Sequence, residues 1–380
     1  MTSLVLLLLA LSFLHLEVTF ALPKWSWSTI QTYVHCANVS GPWNDAAINR
    51  MVKGAFVVFE KDTGLFAPPV NTSAESKITN ACAQVKAKDP TVDCYMYTES
   101  DWARTWYTLG HTFDAHPEWE LHADAVKNSP LISTTEQQVD DEGTTHNYNF
   151  NAYDFSVSDA RDAWVQRVTD AVATGYVDGT FIDGNRGGWK SGILSGTTPA
   201  HAEAWAEGLN TSHRALAAAL PKALLISNYP TTDALEICNG AMMERGGAGE
   251  NDITLLQELG LANKVVEYHA QYANKDGTFN RTLAAFLAGM EAYAYYGAGV
   301  GWNGNGKSAC STWLEWPPEY SRPLGVPTAK AVSVNGVFTR SFATGTKCKI
   351  DTNKGGGSCI WWSDGASTGD EKTCNSAPPL

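Results

Sequence analysis

The chain has 380 residues, which is enough for one α/β barrel of about 250 residues and an appendage. Hydrophobic residues make up 44% of the sequence and charged residues 18%, a composition that excludes a wholly disordered chain. With 40 acidic and 27 basic side chains the formal net charge is −13, and such a surface repels phosphate backbones and anionic headgroups. We therefore expect no nucleic-acid partner and no membrane partner.

The first 21 residues are typical of a secretory signal peptide. An apolar run from Leu4 to Leu14 is too short to span a membrane, and the small residue Ala21 follows it as a cleavage position. Four N-glycosylation sequons favour the same route, and they begin at Asn38, Asn71, Asn210 and Asn280. The sequence therefore predicts a secreted, extracellular protein, which we expect to be a monomer.

The cysteine content favours disulfide bonds. Eight cysteines occur, an even number, without the Cys-x-x-Cys pairs of metal sites. Two pairs are near enough in the sequence to form local bridges, Cys82 with Cys94 and Cys348 with Cys359. Spacing alone leaves the connectivity open.

Eight apolar, β-rich runs recur along the chain at wide spacing. Most are continuous rather than alternating, as in parallel strands that are covered by helices. The runs cover residues 29–35, 55–60, 93–99, 179–184, 223–229, 240–246, 264–270 and 292–299. Helical patterns lie between them at 159–174, 201–220 and 283–292, and the first has Ser158 as a candidate N-cap and Gly175 as its stop. This order predicts an α/β fold, a (β/α)8 TIM barrel.

The barrel is expected to span residues 22–327. A segment of roughly 50 residues, 101–153, follows the third predicted strand and far exceeds the usual ~2–6-residue barrel loop, so we expect it to shape the site. After Pro327, two β-like pieces flank the turn NKGGG and predict a small antiparallel β appendage over 328–363. Residues 364–380 are expected to form a flexible tail, with Cys374 as a candidate anchor.

Two carboxylates stand where predicted strands end, which is where a barrel carries its chemistry. Asp183 closes the fourth strand and Glu244 follows the sixth. An unpaired carboxylate is costly to bury, so a solvent-reachable site explains both. The structural alternatives are a loop cap or an ion pair with Arg186 for Asp183, and an ion pair with Arg245 for Glu244. Two carboxyl groups with separated pKa values can divide the work of cleaving an acetal.

Two further acids lie near these positions. Glu267 is within the seventh strand, beside His269, and is either a third catalytic group or a buried hydrogen-bonded partner of His269. Asp154 precedes a helix that contains Arg161, and we expect the two to form a brace that supports the site.

The block over residues 153–184 resembles a recurring block of barrel glycoside hydrolases. Its parts are YDFS, ARDAW and GYVDGTFIDG, and HPEW upstream is similar to the His-Pro-acid-Trp element of the loosely defined glycosyl hydrolase-like families. The resemblance covers roughly residues 95–300 and implies a TIM barrel that hydrolyses glycosidic bonds. It implies that Asp183 matches the strand-four nucleophile of the α-galactosidase-like clan. Glu244 stands where that clan carries its acid/base, usually as Asp.

Other side chains near the strand ends are candidates for binding the substrate. Aromatic rings pack against the apolar faces of sugars, and the candidate platforms are Trp102, Trp106, Trp189 and Trp302. The hydrogen-bonding candidates are Tyr97, Asp154, Asn228, Tyr229 and His269. Arg186 and Arg245 are candidates for holding an acidic group on a sugar.

No pattern indicates a cofactor. His111, Asp114, His116 and His122 lack the His-Glu-x-x-His spacing and fit a polar loop, so we expect no metal. The Gly-x-Ser-x-Gly motif of serine hydrolases is not found. The glycines within 297–301 lack the helix start and acidic partner of a dinucleotide fingerprint.

These features predict an enzyme that cleaves the glycosidic bonds of a polysaccharide or oligosaccharide. The leading mechanism is retaining hydrolysis, with Asp183 as nucleophile and Glu244 as acid/base. One alternative is a polysaccharide lyase, in which His269 or a tyrosine is the base and Arg186 or Arg245 neutralises a uronate carboxylate. The other alternative is a barrel that binds carbohydrate without cutting it.

Overall fold

The computed structural model describes residues 21–69, 72–108, 115–123, 130–140, 142–184, 193–270, 278–302 and 309–375. Several predictions fall outside these ranges: the signal peptide up to residue 20, the sequon at Asn71, His111, Asp114, Arg186 and Trp189. Within the described ranges, no helix is both long enough and apolar enough to cross a membrane.

The elements alternate along the chain as strands and helices. The strands are β1 (Tyr33–Cys36), β2 (Phe56–Phe59), β3 (Asp93–Glu99), β4 (Trp102–Ala103), β5 (Ser133–Val139), β6 (Thr145–Ala152), β7 (Gly179–Asp183), β8 (Leu224–Asn228), β9 (Gly240–Met243), β10 (Val265–Ala270), β11 (Ala294–Ala298), β12 (Val332–Val334), β13 (Val337–Ser341), β14 (Lys347–Asp351), β15 (Ser358–Trp361) and β16 (Ser367–Gly369). The α-helices are α1 (Asp45–Met51), α2 (Ala74–Lys88), α3 (Ser158–Ala173), α4 (Pro199–Ala219), α5 (Thr232–Ile237), α6 (Glu250–Leu261), α7 (Thr278–Gly289), α8 (Ala309–Trp313) and α9 (Glu371–Cys374). Short 3-10 helices cover Pro117–Trp119, Ile193–Gly196 and Pro318–Ser321.

Eight parallel strands form the predicted TIM barrel. Their order is β1-β2-β3-β7-β8-β9-β10-β11. A parallel bridge between Thr32 and Tyr296 brings the last strand beside the first, and the Tyr296 amide donates to the Gln31 carbonyl over 2.9 Å. Each of the eight apolar runs read from the sequence overlaps one of these strands, which confirms the fold class. Because all eight strands are parallel, their carboxyl ends meet at one mouth.

The three predicted helices are present at the expected positions, but their first and last residues differ from the predicted ones. The first predicted helix is α3, and its N-cap is Val157 rather than Ser158. The Ser158 hydroxyl contacts the Asp159 carboxylate at 3.2 Å and makes no capping bond to the backbone. Gly175 adopts a left-handed conformation with φ 79° just after the helix, which is the expected stop. The third predicted helix, α7, begins earlier, at Thr278.

The long insert after β3 contains a small sheet of its own. Its strands pair antiparallel in the order β4-β6-β5. Arg104 attaches this sheet to the barrel, since its guanidinium contacts Glu99 at the end of β3 and Glu136 on β5. The insert is therefore fixed beside the mouth.

The C-terminal appendage is a five-stranded antiparallel sheet, β12-β13-β14-β15-β16. Its apolar side chains, among them Phe338, Ile350 and Ile360, belong to the same buried cluster as Phe286 of α7. The strand β16 and the helix α9 lie after residue 363, within the segment that was expected to be a flexible tail.

The disulfides confirm one predicted pair and correct the other. Cys82 is bonded to Cys94 as expected, and Cys36 is bonded to Cys310. The expected bridge between Cys348 and Cys359 does not form. Cys359 is bonded to Cys374 instead, and Cys348 is a buried free thiol. In the β14–β15 register Cys348 lies opposite Ile360, so Cys348 and Cys359 project from opposite faces of the sheet.

Candidate active site

Asp183 and Glu244 lie together at the mouth, and both are partly exposed to solvent. Asp183 is the last residue of β7, and Glu244 directly follows β9. The strand β8 lies between these two strands in the sheet. Its last residue, Asn228, contacts both carboxylates, because its Nδ2 lies 2.7 Å from Oδ1 of Asp183 and 3.4 Å from Oε2 of Glu244.

Among the described residues, three donors orient the Asp183 carboxylate. Tyr97 donates its hydroxyl to Oδ2 over 2.5 Å, while Asn228 and the Gly184 amide donate to Oδ1, the latter over 2.8 Å. Gly184 has φ 78°, and a β-carbon there would collide with the Asp101 carboxylate. A glycine is therefore required for the chain to turn directly after Asp183.

Glu244 is held by a tyrosine in an uncommon backbone conformation. Tyr229 donates its hydroxyl to Oε2 of Glu244, and its φ is 66°, in the left-handed region. The Ser227 hydroxyl donates to the Tyr229 carbonyl over 2.8 Å and helps to hold this turn. Residues with such backbone strain cluster at functional sites, where the surroundings determine the conformation. Glu244 is thus placed by β8 as well as by its own strand.

Glu267 lies deeper in the barrel and pairs with a residue that the sequence reasoning did not single out. It is fully buried, and its Oε2 lies 3.4 Å from Nδ1 of His35 rather than beside His269. The other ring nitrogen of His35 lies 3.0 Å from Oε1 of Glu60. Although burial alone would lower the pKa of His35, hydrogen bonds to Glu267 and Glu60 raise it. Burial raises the pKa of Glu267.

Both ring nitrogens of His269 face backbone carbonyls. Nδ1 lies 2.7 Å from the Glu244 carbonyl and Nε2 lies 3.0 Å from the Gly299 carbonyl. Burial lowers the pKa of His269 to about 4. Its ring packs against Trp302 at 4.1 Å and stacks on Trp313 at 4.9 Å between ring centroids. His269 therefore supports the loop after Glu244 and the aromatic cluster that contains Trp302.

Several other expected residues lie elsewhere or have different partners. Arg245 is exposed, and no ion pair joins it to Glu244 among the described contacts. Asp154 accepts from the Ser156 hydroxyl over 2.6 Å and lies 3.1 Å from Nε2 of His201. The expected Asp154–Arg161 brace does not form, because Arg161 donates to the carbonyls of Phe155 and Ser156.

The tryptophans of the insert are largely packing residues. Trp106 is 8% exposed and donates its indole N–H to the Lys61 carbonyl over 3.0 Å, so its ring is not a free platform. Trp102 is half-buried and packs against two hydrophobic clusters. Trp302 is half-buried, and its ring centroid lies 4.6 Å from that of His35 and 4.1 Å from that of His269.

Two further acids lie at the ends of barrel strands, although neither was among the candidates predicted from the sequence. Glu99 ends β3 directly opposite Asp183 in the register, and Glu60 follows β2. Glu99 is bound by Arg104, and burial raises the pKa of Glu99. Two residues beyond Glu60, Asp62 is fully buried, and burial raises its pKa to about 7. The signal that points to Asp183, an acid at the end of an apolar run, was present at both strand ends.

In the described part of the chain, no three His, Cys, Asp or Glu side chains are grouped to hold a metal ion. His116 stacks on Trp119 with ring centroids 4.1 Å apart and lies 3.0 Å from Glu118.

A family model for hypothetical glycosyl hydrolase family 15 matches residues 86–346, more than half of the chain. The chain belongs to this family. The match covers β3 to β13, including both mouth carboxylates, and it identifies the protein as a glycoside hydrolase with a carbohydrate substrate. No curated protein matches the sequence significantly.

Solved structures of glycoside hydrolases align with the chain at low identity. The glycoside hydrolase domain of PelA from Pseudomonas aeruginosa aligns with 12% identity and a TM-score of 0.44, over 73% of this chain and 95% of that one. Cyclic α-maltosyl-(1→6)-maltose hydrolase from Arthrobacter globiformis aligns with 11% identity and a TM-score of 0.49, over 92% and 100%. Ega3 from Aspergillus fumigatus, solved with galactosamine, aligns with 12% identity and a TM-score of 0.45, over 78% and 99%. Similarity at this level says nothing of substrate or catalytic residues.

Proposed function

We propose that the protein is a retaining glycoside hydrolase, with Asp183 as the nucleophile and Glu244 as the acid/base. One observation supports this most directly: the Asn228 nitrogen lies within hydrogen-bond reach of both carboxylates. Oδ1 of Asp183 and Oε2 of Glu244 are therefore no more than about 6.1 Å apart, which lies below the ~6.5–9.5 Å separation of inverting enzymes.

The chemistry follows in two steps. In the first, Glu244 protonates the glycosidic oxygen while Asp183 attacks the anomeric carbon, which gives a covalent glycosyl-enzyme and releases the leaving sugar. In the second, Glu244 takes a proton from water, which attacks the same carbon and frees Asp183. Oδ2 of Asp183 accepts only the Tyr97 hydroxyl among the described donors, whereas Oδ1 accepts two donors. We assign the attack to Oδ2.

Two observations weigh against the lyase alternative. The ring nitrogens of His269 face backbone carbonyls, so this side chain is not placed to remove a proton from a sugar. Tyr97 and Tyr229 donate to the two carboxylates, and burial, followed by the charge of Asp183, raises the pKa of Tyr97 well above its ordinary value. A tyrosine that must ionise to act as a base is disfavoured there.

We also propose that the enzyme is secreted and acts on an extracellular polysaccharide or oligosaccharide. The leader sequence and the sequons support this, and three disulfides are typical of an oxidising compartment. Expression of the full chain in a eukaryotic secretory host tests it: the medium should contain a protein that begins near residue 22.

The test of the catalytic proposal is a broad glycan panel offered to the wild type and to Asp183→Asn, Glu244→Gln and Glu203→Gln. Glu203 is an exposed carboxylate on α4 and is the matched control. We expect products that have gained water, no turnover by the first two variants, and unchanged turnover by the third. Proton NMR of the first product formed should show the anomer of the substrate. Initial formation of the opposite anomer, or full activity of Asp183→Asn, contradicts the proposal.

A further inference from the structure

A chain of buried ionisable side chains crosses the barrel from Glu267 towards Asp183. Glu267 contacts His35, which contacts Glu60. The other oxygen of Glu60 lies 3.1 Å from Nζ of Lys61. All four residues are at most 8% exposed, so these groups are in a region of low dielectric, where charge–charge interactions are strong.

Lys61 is the last member of this series of ionisable side chains, and it packs against an aromatic ring. Its ammonium group lies 4.4 Å from the centroid of the Tyr97 ring, within the range of a cation–π contact. The hydroxyl of the same ring donates to Oδ2 of Asp183 over 2.5 Å. Lys61 and Asp183 therefore both contact Tyr97, Lys61 at the face of its ring and Asp183 at its hydroxyl.

We propose that Lys61 is a positioning residue that acts on Asp183 through Tyr97. This inference rests on the proposed function of Asp183 as nucleophile. A cation over the ring face draws electron density from the ring and makes the hydroxyl a stronger donor to the carboxylate. The contact also fixes the plane of the ring, which directs the hydroxyl at Oδ2. Both effects hold the Asp183 carboxylate in the orientation that attack requires.

The surroundings of Lys61 determine what its charge can do. Besides Glu60, the charged groups that face it are Asp62, Glu99 and Arg104. Arg104 contacts Glu99 and Glu136, and among the described residues the ammonium group of Lys61 contacts Glu60 and the Tyr97 ring. Although burial alone would lower the pKa of Lys61, Glu60 raises it above its ordinary value, so the cation persists over the working pH range.

The role of Glu60, His35 and Glu267 follows from this arrangement. Lys61 and His35 lower the pKa of Glu60 to about 2, against the effect of burial, so Glu60 is an anion beneath Lys61 at any working pH. His35 contacts Glu60 through one ring nitrogen and Glu267 through the other. The buried acid on β10 thereby contributes to the position of Lys61 without touching the substrate.

The test is a double-mutant cycle read by the pH dependence of kcat/KM. The variants are Lys61→Met, Tyr97→Phe and the double variant, assayed with the 4-methylumbelliferyl glycoside that matches the sugar cut in the panel. We expect Lys61→Met to lower kcat/KM at least tenfold and to move the acidic limb to higher pH. With Tyr97→Phe already present, the same substitution should change kcat/KM less than twofold. Lys61→Arg should restore most of the wild-type profile.

Two further arms control for folding and for general charge effects. Lys53 is an exposed lysine over the ring of Trp316 at 5.3 Å, so Lys53→Met removes a cation–π contact remote from the site and should change nothing. If Lys61→Met does not fold, Lys61→Gln repeats the measurement, because its amide keeps a donor to Glu60. An unmoved acidic limb, or equal losses with and without the Tyr97 hydroxyl, overturns the inference.

Covalent labelling of the nucleophile distinguishes an error in the role of Lys61 from an error in the assignment of Asp183 as nucleophile. A 2-deoxy-2-fluoro glycoside of the same sugar should trap Asp183, as mass spectrometry of the labelled peptide would show. If Asp183 is labelled and the limb does not move in Lys61→Met, the proposed function stands and the role of Lys61 is wrong. If another residue is labelled, the assignment of Asp183 fails first, and the inference fails with it.

Discussion

The side-chain nitrogen of Asn228 lies 2.7 Å from Oδ1 of Asp183 and also reaches Glu244. A neutral donor thus lies between two acids. It comes from β8, the strand between β7, which ends at Asp183, and β9, which Glu244 follows. Asn228 is only 5% exposed, so its amide is largely shielded from solvent. Its position keeps the two carboxylates close together and gives each a hydrogen-bond donor.

Replacing this amide by an acid should therefore disable the site. In Asn228→Asp, a third carboxylate replaces the shared donor, and like charges at this distance repel each other. We expect kcat/KM to fall by about 100-fold or more, the usual cost of removing one preorganised donor. Asn149→Asp, at an exposed position on β6, is the control and should retain activity. Activity within threefold of wild type in Asn228→Asp would show that the bridge is dispensable.

The left-handed conformation of Tyr229 predicts a trade between activity and stability. Tyr229→Asn places a residue that tolerates φ near 66° at this position and removes the hydroxyl bound to Glu244. We expect the free energy of unfolding to rise by about 1 kcal/mol and kcat to fall. Tyr229→Phe keeps the strain and loses the hydroxyl, so it should lower kcat with no gain in stability. Urea unfolding and steady-state kinetics on both variants check this.

The buried carboxyl of Asp62 predicts a pH-dependent stability. Burial raises its pKa to about 7 in the folded protein, whereas its ordinary value is 3.8. Between these values the folded state binds more protons than the unfolded state, so this group's contribution to stability is lost as pH rises towards 7. Asp62→Asn removes the ionisation and should stabilise the protein more at pH 8 than at pH 5, by roughly 2–3 kcal/mol at most. Urea midpoints at the two pH values give the difference, and equal gains at both would contradict the prediction.

The free thiols Cys238 and Cys348 should be unreactive in the native protein. Both are buried, and burial raises the pKa of each to about 12, so little thiolate is present at neutral pH. We expect iodoacetamide to label neither in the folded state and both in denaturant. Non-reducing peptide mapping should recover Cys374 with Cys359. A peptide that links Cys348 to Cys359 would overturn the register between β14 and β15.

The sequence alone determined the barrel and the two mouth carboxylates, because these depend on local order. An apolar run predicts a strand, and the carboxyl end of that strand is expected at the mouth of the barrel. An acid at this end, as at Asp183 and Glu244, is then a candidate catalytic residue. Applied to every run, the same rule would also have selected Glu60 and Glu99. The partners of these groups were decided only by the tertiary structure. Barrel closure brings His35 of the first strand to Glu267 of the seventh barrel strand, and strand register separates Cys348 from Cys359. Contacts across strands depend on register and closure, which no spacing along one chain specifies.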